Sequence, residues 1–479
     1  MRSTAIVLGF AAVLAIAAAP AAADAPNGPP AGREQSKLVL VERIDITGNV
    51  STAERLITRV IPIKAGTWVA IDDRRFRHIR YKVLALGYFR AVKVKLAKGS
   101  ARGRIIIQVA VEERGTIVLN QLLFGTSRAT PWWAGIDLSE RNFLGSGIAV
   151  GGGFVAAGEG PIDHATGQYA FGLHVADPSI LGSAYGAHGS VLHIKASEPY
   201  RVRGKLSDGA PSNFDSFSYT RTGASAGTSI RLTSLSQLTL DGRFERVRAS
   251  TPALPVREVP DGSLEPIDLA LQPGVSHVVT LALGFERDTR PDPVLPYSGN
   301  KLAVLGEVGG RWFGSDYDYA TVLARYEHWW PMGTINHVLS LHLTGGLVLG
   351  DAPQFDRIYV ADLNRLLTPR ALGLVVSTAP TPNVFGTNAD RTTYGEVGGA
   401  AEVQYTYRLF RSRKHVYGGD LFVGLGLWAL GNRDDVLSRD RSAFRSFPVD
   451  LLVDAGLRLD TEIGIFELTF ANALGRVPL

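Results

Sequence analysis

From residue 116 onward the chain alternates apolar and polar positions with a period of two, and no segment of useful length carries a helical period. In QLTLDGRFE (237–245), Leu238, Leu240 and Phe244 share one face, while Thr239, Asp241, Arg243 and Glu245 take the other. VVTLALGFE (278–286) and LFVGLGLWAL (421–430) repeat the pattern. A soluble sandwich would alternate too, but these segments run roughly 10 to 16 residues, against about 5 to 6 in ordinary sheets. About 9 to 11 tilted residues cross a bilayer, and a closed barrel with an apolar exterior leaves no backbone unpaired in lipid. Strand starts fall near 117, 134, 147, 167, 185, 216, 236, 276, 299, 317, 335, 393, 417, 448 and 464. Single-chain bacterial barrels have even strand numbers, so this count predicts a transmembrane antiparallel β-barrel of about 16 strands over 115–479. The long gaps at 251–275, 351–392 and 431–447 read as external loops. Trp329-Trp330 before Pro331, and Trp132-Trp133, fit an interfacial aromatic girdle.

Residues 38–114 follow another pattern. VERIDITG (41–48) alternates as a strand and ends on Gly48-Asn49. Ser51 and Glu54 have capping-box spacing before the helix TAERLITRVI. Gly66 stops that region. Phe76, Ile79, Val83 and Leu86 make one apolar stripe on a second helix from about 72 to 86, with Gly87 as its cap. YFRAVKVKL and RIIIQVAVEE then read as two strands, so the order is β-α-α-β-β.

That order, with Gly48, Gly66, Gly87 and Phe89 and a last strand ending V-x-E-E, resembles a POTRA domain of the BamA/TamA outer-membrane assembly superfamily. The resemblance continues into the barrel. ERNFLGSG (140–147) is similar to a family turn through Asn142, Gly145 and Gly147. FERDTRPDPVLPYSG (285–299) is similar to another motif through Asp288, Arg290, Pro296 and Gly299. The resemblance implies a three-stranded sheet backed by two helices, then the barrel. It also implies unfolded client proteins or an accessory protein held by the POTRA domain in the periplasm, and insertion or translocation of clients at the bacterial outer membrane. Family members fold a loop arginine into the lumen. In PQFDRIYVADLNRLLTPRALG (353–373) the candidate latch is Arg370, with Arg365 as the alternative, and Ala371 stands where the family has glycine. That departure leaves a second reading, a passive porin or surface antigen that keeps the architecture without insertase activity.

Charge sharpens the division. Residues 37–114 hold 17 Lys/Arg against 7 Asp/Glu, while 115–479 hold 31 against 36. A basic module beside an acidic barrel suits anionic lipid headgroups or an acidic client; nucleic acid is not expected of an exported chain. Export is read from the apolar run 5–19 after Arg2 and the Ala21-Ala22-Ala23 cleavage pattern, giving a signal peptide at 1–23 and a tether at 24–37. The chain has no cysteine, so thiolate metal sites and cysteine nucleophiles are excluded. Ser225 in GASAG matches G-x-S-x-G, but a strand follows it where the elbow needs a helix. The pairs His188/His193 and His337/His342 have an odd spacing, which puts each pair on opposite strand faces. No catalytic, cofactor or metal site is expected.

Overall fold

The computed structural model describes residues 38–476 except 85, 205–207, 234, 260, 292–294, 368–369, 379–392, 412–415, 435–448 and 462–463; the expected signal peptide (1–23) and tether (24–37) lie outside the described residues. The first unit contains β1 (Leu38–Thr47), α1 (Glu54–Val60), β2 (Trp68–Ala70), α2 (Arg74–Leu84), β3 (Phe89–Lys98) and β4 (Arg104–Glu113). Its sheet runs β2-β1-β4-β3, with β1 and β4 parallel and the other pairs antiparallel. The sheet therefore has a fourth, three-residue strand beyond the three that the resemblance implies, because Trp68–Ala70 pairs back onto Leu38–Leu40. Val41, Leu56, Ile57, Ile79, Val83, Ile107 and Val109 fill the space between helices and sheet. Phe89 is buried there too, while Gly66 and Gly87 sit in the turns that lead into β2 and β3.

Two local expectations change. No capping box forms at Ser51, because α1 begins after Ala53 and has no side-chain cap. The free amides of Ser51 and Thr52 donate to the Glu113 carboxylate instead, at 3.0 and 2.7 Å. The second helix starts at Arg74 and not at residue 72, because the Asp73 carboxylate takes the Arg75 amide at 2.8 Å and ends the turn before it.

The barrel strands begin with β5 (Ile117–Gly125), β6 (Trp133–Phe143), β7 (Ile148–Ala157), β8 (Gln168–Asp177), β9 (Tyr185–Arg201), β10 (Phe214–Arg231) and β11 (Ser236–Ser250). A small hairpin, β12 (Val256–Glu258) and β13 (Leu264–Pro266), decorates the next loop. The wall resumes with β14 (Gly274–Asp288), β15 (Gly299–Gly309), β16 (Tyr319–Met332) and β17 (Thr334–Gly350). The following loop holds β18 (Ile358–Tyr359), α3 (Val360–Leu363), β19 (Arg370–Ala371), β20 (Leu374–Val375) and β21 (Tyr394–Gly395). The wall ends with β22 (Val397–Arg411), β23 (Val416–Gly431), β24 (Val449–Thr461) and β25 (Gly464–Arg476). Among the described residues the wall has 15 strands, each antiparallel to its neighbours in sequence order. β5 and β25, the two ends of the sheet, come within 8 Å of each other but share no ladder in the described sheet.

The alternation does what it predicts. On β23, Leu421, Val423, Leu425 and Leu427 are exposed on the outside, while Phe422, Trp428 and Leu430 are buried inside. The same alternation corrects the girdle. Trp330 faces out and stacks on His328 at 4.1 Å, but its neighbour Trp329 points inward, 8% exposed, against His342 and Arg290. Trp132 is exposed and Trp133 packs on the luminal core.

Candidate functional site

Three clusters join parts of the chain that are distant in sequence: the contact between module and barrel, the filled lumen, and the attachment of the luminal loop to β25.

The tight turn between β6 and β7 lies directly on α1. Asn142 is buried and donates through Nδ2 to Thr52 Oγ1 at 3.0 Å, and its Oδ1 accepts the Gly147 amide at 2.8 Å. The Ala53 amide donates to the Gly145 carbonyl at 3.0 Å, which satisfies an orphan donor at the start of α1. Gly145 has φ +70°, and a β-carbon there would stand 1.8 Å from the Ser51 carbonyl oxygen. Only glycine fits both the left-handed backbone and the close approach. Gly147 lies against Leu56 of α1. Gly48 works the same way inside the module, with φ +87° and the Val111 carbonyl 2.0 Å from where its β-carbon would be.

Glu113 closes this junction from the other side. Burial works to raise its pKa, but the amides of Thr52 and Ser51 outweigh that and hold it below the ordinary carboxylate value. A depressed pKa contributes stability at neutral pH that is lost as pH falls through the folded-state value. In the wild type, hydrogen-exchange protection of amides 48–60 should therefore hold from neutrality down to the ordinary carboxylate range and drop as the pH is taken below about 4. In Glu113→Gln it should already be low at neutral pH and change little.

The lumen is filled by the loop between β17 and β22. Phe355, Ile358, Tyr359, Val360, Leu363, Leu367 and Leu374 are buried against the inner wall. The described part of this loop is thus not external, because so apolar a stretch gains by leaving water. Beside Phe355 lies a charged network. Arg243 on β11 donates to both carboxylate oxygens of Asp356, at 2.7 and 3.1 Å. It also reaches Glu307 at 2.6 Å, Tyr319 at 3.0 Å and Glu245 at 3.2 Å. Arg221 on β10 holds Glu245 by two hydrogen bonds, 2.8 and 3.0 Å, with its guanidinium 3.7 Å over the Phe355 ring. Nothing in the local sequence around Arg243 signals this cluster, since Asp356 is 113 residues away.

Arg370 hydrogen-bonds within its own loop, while its charge also acts on the buried Glu198 of β9. It contacts Asp362 at 3.3 Å and lies over the Tyr359 ring at 4.4 Å. Arg365 reaches the wall instead, donating to Glu467 on β25 at 2.5 Å, and Arg458 on β24 holds the same carboxylate at 2.8 Å. Asn364 adds a 2.7 Å bond to Glu402 on β22.

Asp288, Arg290, Pro296 and Gly299 come together around the long turn between β14 and β15. Arg290 and Asp288 form a two-pronged pair at 2.6 and 2.9 Å. Gly299 backs onto the Thr289 carbonyl, and half-buried Pro296 follows Leu295, whose carbonyl accepts from Arg408 at 2.9 Å. Ser225 sits mid-strand on β10, with its Oγ 2.7 Å from that of Ser190. His188 meets Asp241 inside, while His193 stacks on Tyr169 and Phe171 on the other face. Among the described residues no group of three or more His, Cys, Asp or Glu is placed to hold a metal ion.

The Omp85 superfamily domain matches residues 142–477. No curated protein matches the chain in sequence. Among solved structures, the fold is similar to BamA from Haemophilus ducreyi lacking POTRA domains 1–3, at TM-score 0.52 and 13% identity, covering 94% of this chain and 82% of that one. It is also similar to CdiB from Escherichia coli, at TM-score 0.58 and 13% identity, covering 92% of this chain and 73% of the other. CdiB from Acinetobacter baumannii gives TM-score 0.51 and 11% identity, covering 91% and 74%.

Proposed function

The chain belongs to the Omp85 superfamily, and from that premise we propose that it acts at the bacterial outer membrane, assisting insertion of client proteins into that membrane or their passage across it. The basic module would face the periplasm and receive an unfolded client or an accessory protein. The carrying observation is the seam, where β5 and β25 stand side by side without a ladder. Unpaired strand edges in lipid leave backbone groups that cost several kcal/mol each. An incoming client strand would satisfy them. No bond is made or broken in this reading; barriers fall through pairing and membrane deformation, so the action is not enzymatic. A passive pore would need an open lumen, whereas Phe355, Tyr359, Leu363 and Leu367 are packed inside this one.

Arg365 ties the luminal loop to β25, one side of the seam. The test is folding of an unfolded barrel into liposomes, followed by its gel shift, with and without the full-length protein. Acceleration is expected. It should change several-fold in Arg365→Ala and less in Arg370→Ala, whose hydrogen-bonded carboxylate, Asp362, lies in the same loop. No acceleration by wild-type protein that is itself folded would overturn the insertase form of the proposal. Absence of both insertion and client passage would overturn it entirely.

A further inference from the structure

We propose that the cleft between α1 and the outer rim of the barrel binds the headgroup of an anionic phospholipid, with the acyl chains lying along β7 and β8. The proposal rests on the outer-membrane placement above, but not on insertase activity. The cleft encloses about 1070 Å³. Its module wall carries Arg55, Arg59 and Lys64 over an apolar floor that includes Leu56 and Ile61.

The barrel wall of the cleft is its lipid side. Ile148 shares a face of β7 with Val150 and Phe154, and Asp177 shares a face of β8 with Phe171, Leu173 and Val175. All five of those neighbours are exposed, and the opposite faces of these strands hold Val155 and Ala170 in the luminal core. Val150 is directly opposite Val175 across the ladder. A molecule lodged in the cleft thus meets cations at one end and the apolar exterior at the other, which is the shape of a phospholipid.

The charges point the same way. Arg43 also lines the cleft but is occupied by Asp45 at 2.9 Å. Asp177 accepts the Ser179 amide at 2.9 Å, and Glu54 is the other acid of the lining. Among the described residues, Arg59 has a buried Nε without a hydrogen-bond partner, and its Nη1 makes a 3.5 Å contact with the Ser179 carbonyl. Arg231 crowds the same rim, donating to Ser179 Oγ at 3.2 Å and the Ser183 carbonyl at 2.8 Å. Burial, with Arg231 nearby, disfavours the charged form of Arg59. A phosphate in the cleft would offset the repulsion between the two guanidinium groups.

The test uses the full chain in detergent and native mass spectrometry with dioleoylphosphatidylglycerol against dioleoylphosphatidylcholine. Wild-type protein should retain the anionic lipid preferentially. Arg55→Glu/Lys64→Glu changes two exposed side chains and should fold, as heat-modifiability on a gel will report. It should lose at least about tenfold of that preference, since each basic residue near an anionic surface contributes appreciably to attraction. Lys93→Glu/Lys95→Glu, on the exposed β3 edge, should keep it. Equal retention of the two lipids by the wild type would overturn the proposal, as would loss only in the β3 variant. Displacement by equimolar glycerol phosphate would overturn the part that assigns acyl chains. If the full chain fails to insert test barrels but retains this preference, the functional reading falls and the site stands.

Discussion

Arg243→Ala should release the luminal loop. The substitution removes the cation shared by Asp356, Glu307 and Glu245 and leaves three carboxylates facing one another with Arg221 alone to offset them. Breaking a buried ion pair from one side costs about 3–5 kcal/mol, because the partner charge stays desolvated. Tyr319 donates to Asp356 at 2.6 Å and cannot replace a guanidinium. The expected result is a protein whose wall strands persist but whose loop leaves the lumen. Planar-bilayer conductance should rise well above the wild type, and the loop should become open to protease near Asn364. Asp356→Asn should be milder, since the amide keeps one acceptor for Arg243 and lowers the negative excess. Unchanged conductance and protease resistance in Arg243→Ala would show that the apolar contacts of Phe355, Tyr359 and Leu363 hold the loop unaided.

The second large effect is expected at Gly145. Gly145→Val places a branched side chain where a β-carbon already meets the Ser51 carbonyl at 1.8 Å, and it does so at positive φ. Backbone strain of this kind costs on the order of 1–3 kcal/mol, and the clash adds to it. The turn must shift, and with it the Ala53–Gly145 and Asn142–Thr52 bonds. The module should then swing free of the barrel while both keep their own cores. Proteolysis should cut between 113 and 117 far faster than in the wild type, with the barrel still heat-modifiable. Asn142→Ala should do the same more weakly. A rate equal to the wild type in both variants would mean that the 144–147 turn does not hold the module.

The strand pattern was open to sequence reading because each wall strand is amphipathic over its whole length and pairs with its neighbour in order. Expected starts at 117, 185, 236, 299 and 464 coincide with strand starts in the structure. Among the described residues, the fifteen wall strands also agree with that count better than with the even number expected. Features that depend on residues distant in sequence were not open to it. The Ser51–Glu54 spacing looks like a capping box until Glu113, 62 positions from Ser51, takes the amides. The loop motif drew attention to Arg370, yet the loop's hydrogen bonds to the wall include those of Asp356, Asn364 and Arg365, whose partners Arg243, Glu402 and Glu467 lie on β11, β22 and β25. Trp329 and Trp330 are indistinguishable as a pair in sequence, and only strand parity separates the inward ring from the outward one.

The parallel pairing of β1 with β4 imposes an order on how the chain folds. Most wall ladders join strands that follow one another through short turns and can close locally, the exceptions being β11–β14 and β17–β22, whose loops carry extra elements. β1 has no such neighbour: its Leu40 pairs with Arg104, and its other partner is the short β2. Closing so long a loop is slow relative to closing a hairpin, since the entropy must be lost before the contacts form. On a chain emerging from its N-terminus, β1 has only the three-residue β2 to pair with until the 104–110 segment of β4 has appeared. During that interval most of one edge of β1 is open, and the module is complete just before the first wall strand, Ile117–Gly125, follows it.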